Sequence, residues 1–448
     1  MALRMSFVSP RRVVFLTLLV LTAAVTSMPA AATAAEVTDV LDAFDAENDN
    51  PYDLSLRIRF GQDSRSSTIA REWRCLAADQ LGAEKCATGS TNLFARELTF
   101  ERTRQMLNFD LRVGVYKDAE LVATFPLVLS DSWKHDFAPG VGRGNSTLYP
   151  DSDKMAIVGV PYASTDRSGF GDMVVGLKWS PYNYYRETAH PTWVFSFMWT
   201  APTGTPMEAG NDAVGEGLHH LELATTISRR TLGIVEPFFN IHGILRLGSA
   251  EGLFVKKSAT QKTVDPGAIV GTQFGAELIP WEDLKADARV EFEIGFGMDY
   301  VFAGREYTEI WEALASPDNP CRPENGCSNT LNSKSAVDPA TSQLREADGI
   351  TDVEQYGKFR GWASLHYQPM RNFQISASFL YATESPHYIT AGAYGTDLDG
   401  NAKVEQSNSK SDNEYSPTFL PALDTPGSRL RIQDVGSYAL MVSVSGKL

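Results

Sequence analysis

The chain has 448 residues, a formal net charge of −15 and a mean hydropathy of −0.21. The acidic balance argues against a nucleic-acid partner, whose phosphates call for a basic surface. No run of ~20 apolar residues follows the N-terminal segment, which excludes a bundle of membrane-spanning helices but not a barrel, whose apolar band hides in every second residue.

Arg11 and Arg12 precede an apolar stretch from Val13 to Val25, and small residues follow to Ala35. This is the pattern of a cleaved secretory signal over 1–35, with cleavage expected after Ala34 or Ala35. Pro10 and Val13-Val14 fit a twin-arginine signal poorly, so the general secretion route is expected. Residues 36–53 are acidic, with Val37, Val40, Leu41 and Phe44 at helical spacing. They predict a short amphipathic helix ahead of the barrel, in the periplasm or tucked into its lumen.

From Leu54 the period changes to two. Leu54, Leu56, Ile58 and Phe60 alternate with Arg57 and Arg59; Leu107 to Val115 alternate with Asp110 and Arg112. Further strands are expected over 121–129, 173–179, 193–199, 221–227, 235–245, 268–278, 290–300, 359–367, 373–381 and 438–448. That makes twelve. Leu93 to Phe100 has the opposite parity to Leu107 onward. It is either a bulged extension of the second strand or a loop hairpin that would bring the count to fourteen. The last strand runs in period two to Leu448 and resembles the closing strand of bacterial outer-membrane barrels, with Leu in place of the usual terminal Phe.

The connections sort by side. Those near 117–119, 181–191, 230–232, 280–287 and 369–371 are short, whereas those near 62–105, 131–171, 202–218, 248–266, 303–355 and 384–430 are long. Short periplasmic turns and long outer loops are the asymmetry of outer-membrane barrels. Trp179, Tyr182, Tyr184, Tyr185, Trp193, Trp281, Tyr367 and Phe373 gather at the short-turn ends, and Trp199, Tyr300, Phe302 and Tyr381 at the other, as two aromatic girdles would. The fold expected over 54–448 is an all-β, antiparallel, transmembrane up-and-down barrel in the outer membrane of a Gram-negative cell. Its expected surroundings are outer-membrane lipid, lipopolysaccharide and the barrel-assembly machinery.

The opposite parity defines the candidate lumen lining. It comprises Arg57, Arg59, Asp110, Arg112, Lys178, His220, Glu222, Glu236, His242, Arg246, Glu291, Glu293, Asp299, Arg360 and His366. Mixed charge suits a polar conduit or a salt-bridged, nearly closed interior. Cys75 with Cys86 and Cys321 with Cys327 are expected to form local disulfides in outer loops, as an even count in an exported chain suggests. No Ser-His-acid set, cofactor motif or metal-ligand spacing stands out, so no enzyme activity, cofactor or metal is expected. Asp397-Leu398-Asp399-Gly400-Asn401 has the start of a calcium loop but no closing Glu.

Gly169-Phe170-Gly171-Asp172, Pro202-Thr203-Gly204 and Gly215-Glu216-Gly217 resemble the glycine-proline pattern of outer-membrane proteins associated with meta-pathway phenol degradation. Those are themselves similar to fatty-acid and aromatic-hydrocarbon uptake channels. The resemblance covers roughly 120–247 and implies a channel or transporter for small molecules, hydrophobic or aromatic ones included. The rival expectation is a non-transporting barrel whose disulfide-braced loops bind a partner or ligand.

Overall fold

The computed structural model describes residues 37–42, 54–74, 92–149, 156–247, 264–283, 285–315, 349–404, 414, 416 and 419–447. Among them are seventeen strands: β1 Leu54–Arg74, β2 Asn92–Tyr116, β3 Ala119–Phe137, β4 Tyr162–Ala163, β5 Arg167–Phe170, β6 Met173–Tyr182, β7 Thr192–Ala201, β8 His219–Ser228, β9 Val235–Leu247, β10 Ile269–Asp283, β11 Ala288–Val301, β12 Gly304–Glu306, β13 Thr351–Val353, β14 Tyr356–Met370, β15 Phe373–Glu384, β16 His387–Tyr388 and β17 Leu430–Lys447. Twelve of these form a closed antiparallel barrel, in the order β1-β2-β3-β6-β7-β8-β9-β10-β11-β14-β15-β17, with β17 paired back to β1. Closure leaves no unpaired edge, which a wall in hydrocarbon requires.

Alternation explains the wall. Leu56, Ile58, Leu223, Ile241, Phe296 and Val442 point outward and are exposed, Leu223 by 63%. In water, a continuous band of exposed Leu, Ile, Val and Phe would be an aggregation surface; in a bilayer it is the lipid contact. Trp179, Tyr182, Trp193, Trp281 and Tyr367 are exposed on this surface, but Tyr185 turns inward and donates to Glu236 Oε2 at 2.6 Å. The turn at Lys117-Asp118 is held in the left-handed region at Asp118 (φ 49°), as a tight hairpin demands.

Residues 93–100 belong to β2, so the barrel has twelve strands and not fourteen. Their reversed parity has a physical cause. Above Phe60 the outward residues of β1 and β2 become polar: Gln62 opposite Gln105, Ser64 opposite Thr103, Ser66 opposite Glu101 and Thr68 opposite Thr99. The inward ones are charged at first, at Asp63, Arg65, Arg102 and Arg104, and apolar towards the top, where Ile69, Leu98 and Phe100 are buried. Lipid lies outside the lower wall and water outside the upper wall, so the buried face changes sides. Two bulges carry neighbouring strands through the change. Leu129 is the extra residue that turns Asp131, Trp133 and His135 inward; Asp434 (φ 54°) marks the irregularity that buries Ile432.

The upper wall encloses a core built with the long loops. Leu148, Ile157, Val158, Ile310, Trp311, Leu314, Ile389 and Leu423 pack against Ile69, Leu98, Phe100, Trp133, Leu430 and Ile432. This cluster roofs the barrel on the long-loop side, which is the extracellular one.

Candidate functional site

At the short-turn end, the wall presents Arg112, Glu120, Lys178, Ser228 and Glu236 to the lumen. Glu120 and Glu236 are fully buried. A buried carboxylate requires compensation. Arg112 supplies it to Glu120 at 2.8 Å, with Lys178 at 3.6 Å. Ser228 and Tyr185 supply it to Glu236 at 2.7 and 2.6 Å. Burial, followed by the Glu236 charge, pushes the Tyr185 phenol up, so it remains a donor.

Residues 37–42 occupy this mouth as a turn followed by irregular chain. Thr38 Oγ1 meets Ser228 Oγ at 2.7 Å, and the Leu41 amide donates to Glu120 Oε2 at 2.8 Å. Asp39 pairs with Arg112 at 2.9 Å, and Asp42 pairs with Arg186. Residues 43–53 lie outside the described ones, as do 1–36.

At mid-height, Arg59 pairs with Asp110 at 3.3 Å. His242 and Arg360 converge on Asp299 at 3.1 and 3.2 Å, and His366 lies 3.6 Å from Glu293. Trp362 donates its indole N–H to Glu293. Its ring stacks towards Phe238, with centroids 6.4 Å apart. Gly275 and Gly295 face each other across β10 and β11, and a Cβ on Gly295 would sit 2.1 Å from the Trp362 ring. The glycines are the floor that lets this aromatic pair lie across the lumen.

Near the roof, Arg246 pairs with Glu306 at 2.5 Å and His220 with Glu216 at 3.4 Å. Arg65 holds both Glu309 and Glu384, at 2.6 and 2.8 Å. Arg102 grips Asp131 with two bonds, of 2.6 and 2.8 Å. Arg167 and Glu312 form an ion pair at 2.7 Å with no exposure on either side. A cavity of 170 Å³ lies among Arg65, Arg102, Arg104, Arg246, Trp133 and Trp311. A larger depression of 930 Å³, lined chiefly by outward apolar side chains such as Leu223, Ile241 and Val270, belongs to the lipid-facing surface.

All fifteen residues proposed for the lumen lie on strands of the wall with inward parity. Arg59–Asp110, His242–Asp299–Arg360 and His366–Glu293 are brought together. Arg112 joins Lys178 through Glu120. Glu236 sits in the lower mouth, where Arg289 pairs with Glu291 at 3.0 Å. Arg246 and His220 lie at the upper end. Arg57 and Glu222 are half-buried. Cys75, Cys86, Cys321 and Cys327 lie outside the described residues. Alternation read only within the apolar band misses Arg65, Arg102, Arg104 and Asp131. Extending the parity of β1 and β2 past Phe60 finds the three arginines; Asp131 also needs the Leu129 bulge.

The three glycine-proline motifs meet at one joint beneath the roof. Asp172 Oδ1 accepts from the Gly204 amide at 2.9 Å and Oδ2 from the Glu216 amide at 2.8 Å. A Cβ on Gly215 would lie 2.7 Å from the Gly204 carbonyl carbon, so the two chains approach this closely only without side chains. The motif thus builds a loop junction. Among the described residues, Asp397, Asp399 and Glu414 come together in an outer loop.

No protein-family model matches the chain, and no curated protein matches it. Among solved structures, it is similar to the COG4313 outer-membrane channel from Pseudomonas putida F1, at 11% identity over 89% of this chain and 97% of that one, with a TM-score of 0.43. It is also similar to a Pseudomonas aeruginosa FadL homologue, at 9% identity over 88% of this chain and 89% of that one, with a TM-score of 0.29. The TodX monoaromatic hydrocarbon channel matches at 9% identity over 88% and 90%, with a TM-score of 0.31. The closed wall, its apolar exterior and its sorted loops identify the chain as a twelve-stranded β-barrel of the outer-membrane type.

Proposed function

We propose that the protein is an outer-membrane channel for small molecules, conducting them through the lumen between the cell exterior and the periplasm. One observation carries this reading. Neither mouth is closed by the wall itself: residues 37–42 stop the lower end, and the loop cluster stops the upper one. A barrel serving only as an anchor has no need for a polar lumen between two separate stoppers. Neither stopper supplies a strand to the closed circuit of twelve, so movement of either one leaves that pairing intact. The Phe238–Trp362 pair gives the mid-lumen an apolar face beside its charges, which supports passage of molecules with a ring or a short apolar body. The rival reading, a barrel whose braced loops bind a partner, rests on loops around 75–91 and 316–348 that lie outside the described residues. Planar-bilayer recording of the purified protein should show discrete conductance steps, and liposomes carrying it should take up small solutes. A silent bilayer together with solute-tight liposomes would defeat the channel reading.

A further inference from the structure

The 170 Å³ cavity under the roof has two unlike sides. One is aromatic: Trp133 and Trp311 meet edge to face at 6.1 Å, Tyr307 and Trp311 at 4.8 Å, and Phe100 lies beside them. The other carries four arginines. Three are saturated: Arg65 by Glu309 and Glu384, Arg102 by Asp131, and Arg246 by Glu306.

Arg104 is different. It makes no hydrogen bond to any described residue. Its closest carboxylate oxygen, Asp131 Oδ2, is 3.7 Å away and already held by Arg102 at 2.6 Å. Asp63 is its cross-strand neighbour but does not hydrogen-bond to it among the described residues. The Arg104 side chain retains 26% exposure and lines the cavity, with its Nε buried and without a partner among the described residues. Glu216 also lines the cavity, but faces His220. On the aromatic side, the buried Trp133 Nε1 likewise has no acceptor among the described residues.

We propose that this cavity is a binding station for a single-ring organic anion, an aromatic monocarboxylate, whose carboxylate is taken by Arg104 and whose ring lies against Trp133 and Trp311. The planar guanidinium matches a carboxylate with two parallel N–H bonds, and aromatic edges pack well on a ring face. The size fits, since an apolar cavity of about 150 Å³ accommodates benzene. The inference rests on the channel reading, for it makes the cavity a stop on the conducted path.

The test uses the full-length protein in detergent, with sodium benzoate as the probe in a calorimetric titration. Saturable binding is expected. Arg104→Gln should weaken it at least tenfold and Arg104→Lys by less, with heat-modifiable migration of both variants unchanged. Equal benzoate affinity in Arg104→Gln would overturn the station, as would no saturable binding to the wild type. Acetate bound as tightly as benzoate would overturn the aromatic slot. Should neither variant fold, the wild type decides: benzoate must bind better than toluene, and equal binding refutes the anion anchor. Conductance is read separately. Benzoate bound to a non-conducting protein supports the station and removes the channel reading; conductance without benzoate binding does the reverse.

Discussion

Arg167 and Glu312 form the most deeply buried ion pair under the roof, and each has further bonds. Arg167 also donates to Asn211 Oδ1 at 2.8 Å and to the Ala213 and Glu208 carbonyls at 3.0 and 3.1 Å; Glu312 also accepts from the Gly210 amide at 3.2 Å. The pair ties three loops together. Arg167→Met would leave Glu312 buried without its countercharge, which costs about 3–5 kcal/mol. Faster amide exchange over 308–315, with the barrel intact, is the expected readout; unchanged exchange would show the pair to be dispensable. Asp424 adds a pH dependence. It ends the short helix Pro421–Asp424 and accepts from the Leu420 and Gly392 amides at 2.7 and 3.0 Å. Burial pushes its carboxyl up from 3.8 to about 6, although those two donors pull the other way. A raised value favours the folded roof in its protonated form. That contribution is complete below the unfolded value of 3.8 and is lost as pH rises through about 6. The roof should therefore exchange faster at pH 7.5 than at pH 5 after correction for the intrinsic rate. Asp424→Asn should flatten the difference, and an equal slope in that variant would contradict the assignment.

Among the strands, β17 carries the closure. It pairs with β1 from Ser55–Lys447 to Arg71–Leu430 and with β15 from Phe373–Gly446 to Thr383–Gly436. Removing 441–448 would strip the partners from Ser55–Gly61 and from Phe373–Ser378. Unpaired backbone in hydrocarbon costs several kcal/mol per group. The truncated chain should fail to reach the outer membrane as a heat-modifiable species, whereas wild-type surface levels would show that the seam lies elsewhere. The twelve strands were legible in the sequence because lipid writes directly on them: Leu56, Ile58 and Phe60 must all face one way. What each inward charge touches was not legible. Asp299 meets His242 from β9 and Arg360 from β14, with β10 and β11 of the same wall between or beside them, and no local spacing encodes such a meeting. The roof was hidden for another reason. Ile157, Trp311 and Leu423 come from three loops without periodicity, so nothing in any one of them announces a shared core.

The molecule as a whole is a wall with a short segment in its lower mouth and a loop core in its upper one. The lower segment hangs on Thr38, Asp39, Leu41 and Asp42. Replacing 37–42 with glycine and serine removes the Asp39–Arg112 and Asp42–Arg186 pairs but no strand pairing. Assembly should be normal and single-channel conductance several-fold larger; unchanged conductance would mean that the roof alone limits flow. The reversal of sides above Phe60 has a consequence for where solutes are met. From Phe60 to Arg74, β1 rises a further fourteen residues, about 45 Å of strand at ~3.3 Å per residue. With a tilt near ~40° this is roughly 35 Å of height. On this side the wall stands well above the membrane, whereas β6, β7 and β8 span only ten residues each. A surface potential at the headgroups decays over about 8 Å at physiological salt, so it has largely vanished at the rim. An anion arriving there is not repelled by the acidic membrane below it and first meets the charges of the protein.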